Sequence, residues 1–162
     1  MTKRGLLANA VWLQAGWWLC VYGAHRPWLL GLVPIGLAWH FACCRDRQRE
    51  LHAVLRCTLA GCVLDSLLGV LGVFRFDSWP LPLWLALLWS VLCCGLRHSL
   101  AWLARRSWLA ALFGAAGGPL AYVGGARLAQ VELPLGTLAT ATLLAAVWTL
   151  ALPLLLRLAT WR

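Results

Sequence analysis

The sequence predicts an all-α, polytopic integral membrane protein: a bundle of about six transmembrane helices with both termini in the cytoplasm. Three observations carry that prediction. The chain is 62% hydrophobic and only 12% charged, where an average globular chain is about 45–50% apolar and about 25% charged. Its apolar residues fall into six runs, each near the ~20 residues that cross a ~30 Å hydrocarbon core at about 1.5 Å per residue. Its arginines and lysines gather mostly in every second break between those runs. A water-soluble fold of this composition would expose most of its leucines, whereas lipid tails solvate them on the outside of a bundle.

The six runs cover approximately residues 6–23, 27–44, 51–74, 80–104, 108–126 and 135–156, each bounded by charge, proline or glycine. The connections are short, so successive helices are expected to be antiparallel neighbours in a single transmembrane domain spanning 1–162. With the N-terminus inside, the inner segments hold Lys3, Arg4, Arg45, Arg47, Arg49, Arg105, Arg106, Arg157 and Arg162, and the outer ones hold Arg26, Arg75 and Arg127. That asymmetry follows the positive-inside rule. Trp28, Trp79, Trp108 and Trp161 fall at run ends, where an indole favours the headgroup layer. Lys3 and Arg4 mimic the start of a signal peptide, but Asn9 and Gln14 interrupt the run and no small-x-small cleavage site follows. The first run therefore reads as a retained span.

The net charge of +9 would suggest nucleic acid in a soluble protein. Here no basic face with interleaved aromatics exists, so no nucleic-acid partner is expected; the arginines read as topology signals facing anionic lipid. The seven cysteines, Cys20, Cys43, Cys44, Cys57, Cys62, Cys93 and Cys94, lie inside or at the ends of apolar runs. They read as small reduced hydrophobes rather than a disulfide set.

A polar group inside a span costs about 2.5–3.5 kcal/mol on insertion scales, so each one asks for a reason. The candidates for a polar interior are Asn9, Gln14, Asp65, Arg97, His98, Tyr122 and Arg127, with Arg56 also inside a run. Asp65 lies near mid-membrane, about 14 residues into its run, where a carboxylate is paired, protonated or facing a wet cavity. Arg97 is one expected partner and Arg127 the competing one. The alternative is an interhelical bridge that only fixes packing. His98 and Ser99 are adjacent, so on a helix they point about 100° apart and cannot form a side-by-side dyad. His40, Cys43 and Cys44 put soft donors on neighbouring turns, which becomes a closed metal site only if a fourth ligand arrives from elsewhere. No metal and no cofactor is assigned on this reading. In the fifth run, Gly114 with Gly118 and Gly117 with Ala121 have the small-xxx-small spacing that lets helices approach closely, and Pro119 favours a bend.

Five stretches together resemble one family: Asn9 to Val21 (N…QxGWWxCV), Asp65 to Phe76, Leu81 to Trp89, His98 to Leu103 and Gly117 to Leu128. The chain is similar over nearly its whole length to the bacterial membrane family catalogued as domain of unknown function 2878. The resemblance implies a bacterial inner-membrane location and, through gene neighbourhood alone, an association with fatty-acid modification. It implies no mechanism.

The polar residues come from the first, third, fourth and fifth runs, which predicts an interior cavity lined by those helices. The leading functional expectation is binding or modification of a hydrophobic, lipid-like substrate there, Arg97 and Arg127 holding an anionic group and Asp65 or His98 a proton. The alternatives are a small substrate-capturing transport component, or a membrane scaffold subunit without a ligand. Expected partners are membrane lipids, a hydrophobic small molecule and a membrane-protein partner. Enzymatic activity is left open.

Overall fold

The structure, a computed structural model, describes residues 3–161; Arg162, counted above among the inner cations, lies outside the described residues. It is all-α. Helix α1 covers Lys3–Gly23, a 3₁₀ turn at Pro27–Gly31 leads into α2 (Leu32–Cys43), and α3 covers Arg47–Val70. Then come α4 (Leu83–Leu96), a second 3₁₀ turn at Ala101–Arg105, α5 (Ser107–Leu128) and α6 (Thr137–Thr160). Among the described residues α3, α5 and α6 are long and apolar enough to cross a membrane, and Pro27–Cys43 and α4 are shorter apolar helices.

The side chains of α3 divide into two faces. Ala53, Cys57, Gly61, Asp65 and Leu68 recur at three- and four-residue spacing and are buried. Leu59, Val63, Leu67 and Val70 recur on the opposite face and are more than half exposed. Small and polar residues face inward and branched apolar residues outward, which is unfavourable in water and favourable in hydrocarbon. The helix begins with the Asp46 side chain accepting from the Arg49 amide. It ends at Gly72, whose φ of +76° lets the Val73 amide reach back to the Leu68 carbonyl at 2.9 Å.

Glycines set the helix separations. α5 lies along α6, with Gly114 against the Trp148 backbone carbonyl and Gly118 against the Trp148 indole; a Cβ at either would overlap them. Gly117 faces open space instead, so only one of the two small-residue pairs serves this contact. Gly61 of α3 receives the Trp89 ring of α4 in the same way. α5 continues without interruption through Pro119.

The fourth apolar run departs most from expectation. Rather than one helix through residues 80–104, α4 stops at Leu96 and the chain turns at residues 97–100 before the second 3₁₀ turn. The amides of His98 and Leu100 both fold back onto the Gly95 carbonyl, at 3.0 and 2.9 Å. A break in an apolar bundle leaves backbone groups that something must satisfy. Asn9 of α1 does so: its amide donates to the Cys94 carbonyl at 3.1 Å, and its oxygen accepts from the Ser99 amide and hydroxyl at 3.2 and 2.7 Å.

Candidate functional site

The break in α4 turns Arg97 and His98 toward the ends of α2 and α3, and there the chain assembles a cluster around one acid. Glu50, in the first turn of α3, has a side chain only 3% exposed. Its Oε1 lies 3.2 Å from His40 Nε2 and 3.1 Å from His98 Nε2. Its Oε2 accepts from Arg97 Nη1 at 2.9 Å. Cys44, in the turn between α2 and α3, places its sulfur 3.7 Å from each of the two histidine Nε2 atoms. The imidazole rings of His40 and His98 stand at 78° to one another.

A second polar site lies farther along α3. Asp65 is fully buried and accepts from Trp89 Nε1 at 2.7 Å and from the Tyr122 hydroxyl at 2.6 Å. Fifteen residues of helix separate it from Glu50, about 22 Å at the usual rise. The expected Asp65–arginine pair is therefore not the arrangement found: Arg97 is paired with Glu50, and Arg127 is exposed in the last turn of α5. The physical reason is the break after Leu96, which directs Arg97 to the end of the bundle instead of up along α4.

Beside the Asp65 site is a cavity of about 280 Å³ between α1, α4, α5 and α6, lined mainly by apolar side chains. Trp17, Trp89, Tyr122, Trp148 and Phe74 contribute aromatic faces, and Gly114, Gly117 and Gly118 a stretch of bare backbone. Its lining differs from the polar interior expected: of the seven candidates only Tyr122 reaches it. Asn9, Arg97 and His98 come together at the Glu50 end, Asp65 and Tyr122 meet at the second site, and Gln14 faces outward from α1.

Residues 6–154 match a family described as "Protein of unknown function (DUF2878)". The chain belongs to that family. No curated protein and no solved structure matches it. In this member of family 2878 the residues that organise both sites include several that pattern reading passes over. Glu50 follows Arg45, Arg47 and Arg49 and reads as part of a solvated charged loop. Its one signal is its place in the first turn of a helix, ten residues after a histidine in the last turn of the preceding helix. Trp89 reads as packing, yet its indole N–H is the donor that Asp65 requires. Ser99, adjacent to His98 in sequence, commits its hydroxyl to Asn9 instead.

Proposed function

We propose that this is a six-span bacterial inner-membrane protein, both ends cytoplasmic, that binds the hydrocarbon part of a lipid-like molecule within the bundle. The observation that carries the binding reading is the cavity of about 280 Å³ and its nearly all-apolar wall. An engineered apolar cavity of about 150 Å³ stays dry and takes up benzene, and this one is larger. The Tyr122 hydroxyl at the wall is held by Asp65, and neither Arg97 nor Arg127 lines the cavity, so apolar contact rather than charge selects the guest.

The test uses Gly117, which lines the cavity and has nothing within 4 Å of the position a Cβ would take. Gly117→Leu extends a side chain from that open Cβ position into the cavity. Extraction and mass spectrometry of hydrophobic molecules retained by the detergent-purified protein should find a stoichiometric species in the parent. Misfilling an apolar pocket by even one methylene changes affinity by about 10–200-fold, so the variant should retain at least about tenfold less. Equal retention by parent and variant, or no retained molecule in either, rejects the cavity as a binding site and leaves the scaffold reading.

Two sets of contacts support the topology. Glu50 joins the C-terminal end of α2, the start of α3 and the segment after α4, and Arg56 donates to the Trp161 carbonyl near the end of α6 at 3.1 Å. These ends carry most of the arginines. At the other end Arg75 pairs with Glu132 at 2.7 Å between two connecting loops. Reporter fusions at residues 46–49 and at the C-terminus should read cytoplasmic, and fusions near Ser78 and Glu132 periplasmic. A C-terminal reporter active outside the cytoplasm overturns the six-span count.

A further inference from the structure

We infer that His40, Cys44, Glu50 and His98 form a binding site for a transition-metal dication of the zinc class. Each offers one donor atom, and the four atoms lie within 4.8 Å of one another. A tetrahedral ion with metal–nitrogen bonds of about 2.0–2.1 Å and a metal–sulfur bond of about 2.3 Å sets nitrogen donors about 3.3–3.4 Å apart and the sulfur about 3.6 Å from each of them. Four of the edges here are 3.1, 3.2, 3.7 and 3.7 Å, the two sulfur edges being the long ones. The donors come from the end of α2, the turn after it, the start of α3 and the break after α4, so the convergence belongs to the tertiary fold and not to one sequence motif.

Hydrogen bonding within the cluster accounts for these contacts less completely. A thiol carries one proton and a neutral imidazole one. If both Nε2 atoms donate to Glu50 Oε1, the thiol proton has no acceptor among the four. If the thiol donates to one Nε2, that nitrogen turns a lone pair toward Oε1 at 3.1 or 3.2 Å. A cation at the centre meets all four lone pairs at once. Arg97, held on Oε2 at 2.9 Å, leaves Oε1 for the centre and is the outer partner such carboxylate ligands usually have. Asn9 is a positioning residue, since it fixes the turn that carries His98. Two imidazoles and a thiol select zinc, cobalt, nickel or copper over magnesium and calcium. Four protein donors make the closed type of site that ties elements together. Cys43, which the sequence offers equally, is exposed and outside the cluster.

The full chain, purified in detergent and stripped with a chelator, is titrated with Co²⁺. One equivalent should bind and give a thiolate-to-cobalt charge-transfer band, which Zn²⁺ displaces and Mg²⁺ does not. Cys44→Ser should abolish the band and Cys43→Ser leave it intact; Arg97→Gln should keep the band with affinity lowered about 10–100-fold. A second measurement needs no variant: saturating Zn²⁺ should slow alkylation of Cys44, mapped by mass spectrometry, and not that of Cys43. The inference is overturned by the absence of a saturable cobalt spectrum, by loss of the band in Cys43→Ser, or by Cys44 alkylation that Zn²⁺ does not slow.

Discussion

Asp65→Ala should destabilise the detergent-solubilised protein by about 2–4 kcal/mol, because it strands two buried donors at once. The Trp89 indole N–H and the Tyr122 hydroxyl both end on this carboxylate, and each unpaired group costs about 1–3 kcal/mol. The lower half of the combined range applies because polar partners in membrane bundles couple more weakly than in soluble cores. Asp65→Asn should cost far less, since its oxygen still accepts from Trp89 and the Tyr122 hydroxyl can turn to accept from the new amide. Unfolding in mixed micelles, followed by tryptophan fluorescence, measures both. A double-mutant cycle locates the partner: Asp65→Ala with Tyr122→Phe should show a coupling above about 0.5 kcal/mol, and Asp65→Ala with Arg97→Gln should add within that margin. Coupling to Arg97 with none to Tyr122 would restore the arginine bridge and sink the arrangement described.

That contrast shows where one-dimensional reading succeeds. Asp65 announces itself because a carboxylate deep in an apolar run has no solvated alternative. Its partners do not, because an indole and a phenol in such a run are indistinguishable from packing until their N–H and O–H are placed. The helices themselves are legible for the same reason as Asp65: apolar runs between arginines have few other fates. The break after Leu96 is not, since its local signals, Gly95 with the cations Arg97 and His98, are weak ones inside a run that stays apolar to Leu103, and the turn is stabilised from outside by Asn9, some ninety residues away. Once the turn is missed, so is the cluster it builds. The His40 and Cys44 half of that cluster is visible as donors one helical turn apart; the Glu50 and His98 half exists only in three dimensions.

The second large effect should come from Glu50. One carboxylate there faces His40, His98 and Arg97, so it binds three chain segments at the crowded end of the bundle. Glu50→Ala should cost about 3–5 kcal/mol, the usual penalty for removing one partner of a buried ion pair and leaving the other without compensation. Arg97 is 22% exposed, and its long side chain can reach toward water, which places the expected loss at the low end of that range. Glu50→Gln keeps one acceptor oxygen and should lose less. Measured with a chelator present, so that bound metal adds nothing, the double variant Glu50→Ala with Arg97→Gln should recover part of the loss, a coupling above about 0.5 kcal/mol. A Glu50→Ala protein within about 0.5 kcal/mol of the parent would behave like a surface substitution. The acid would then be solvated in the membrane-embedded protein, and the ends of α2, α3 and α4 would have to be held together by apolar packing alone.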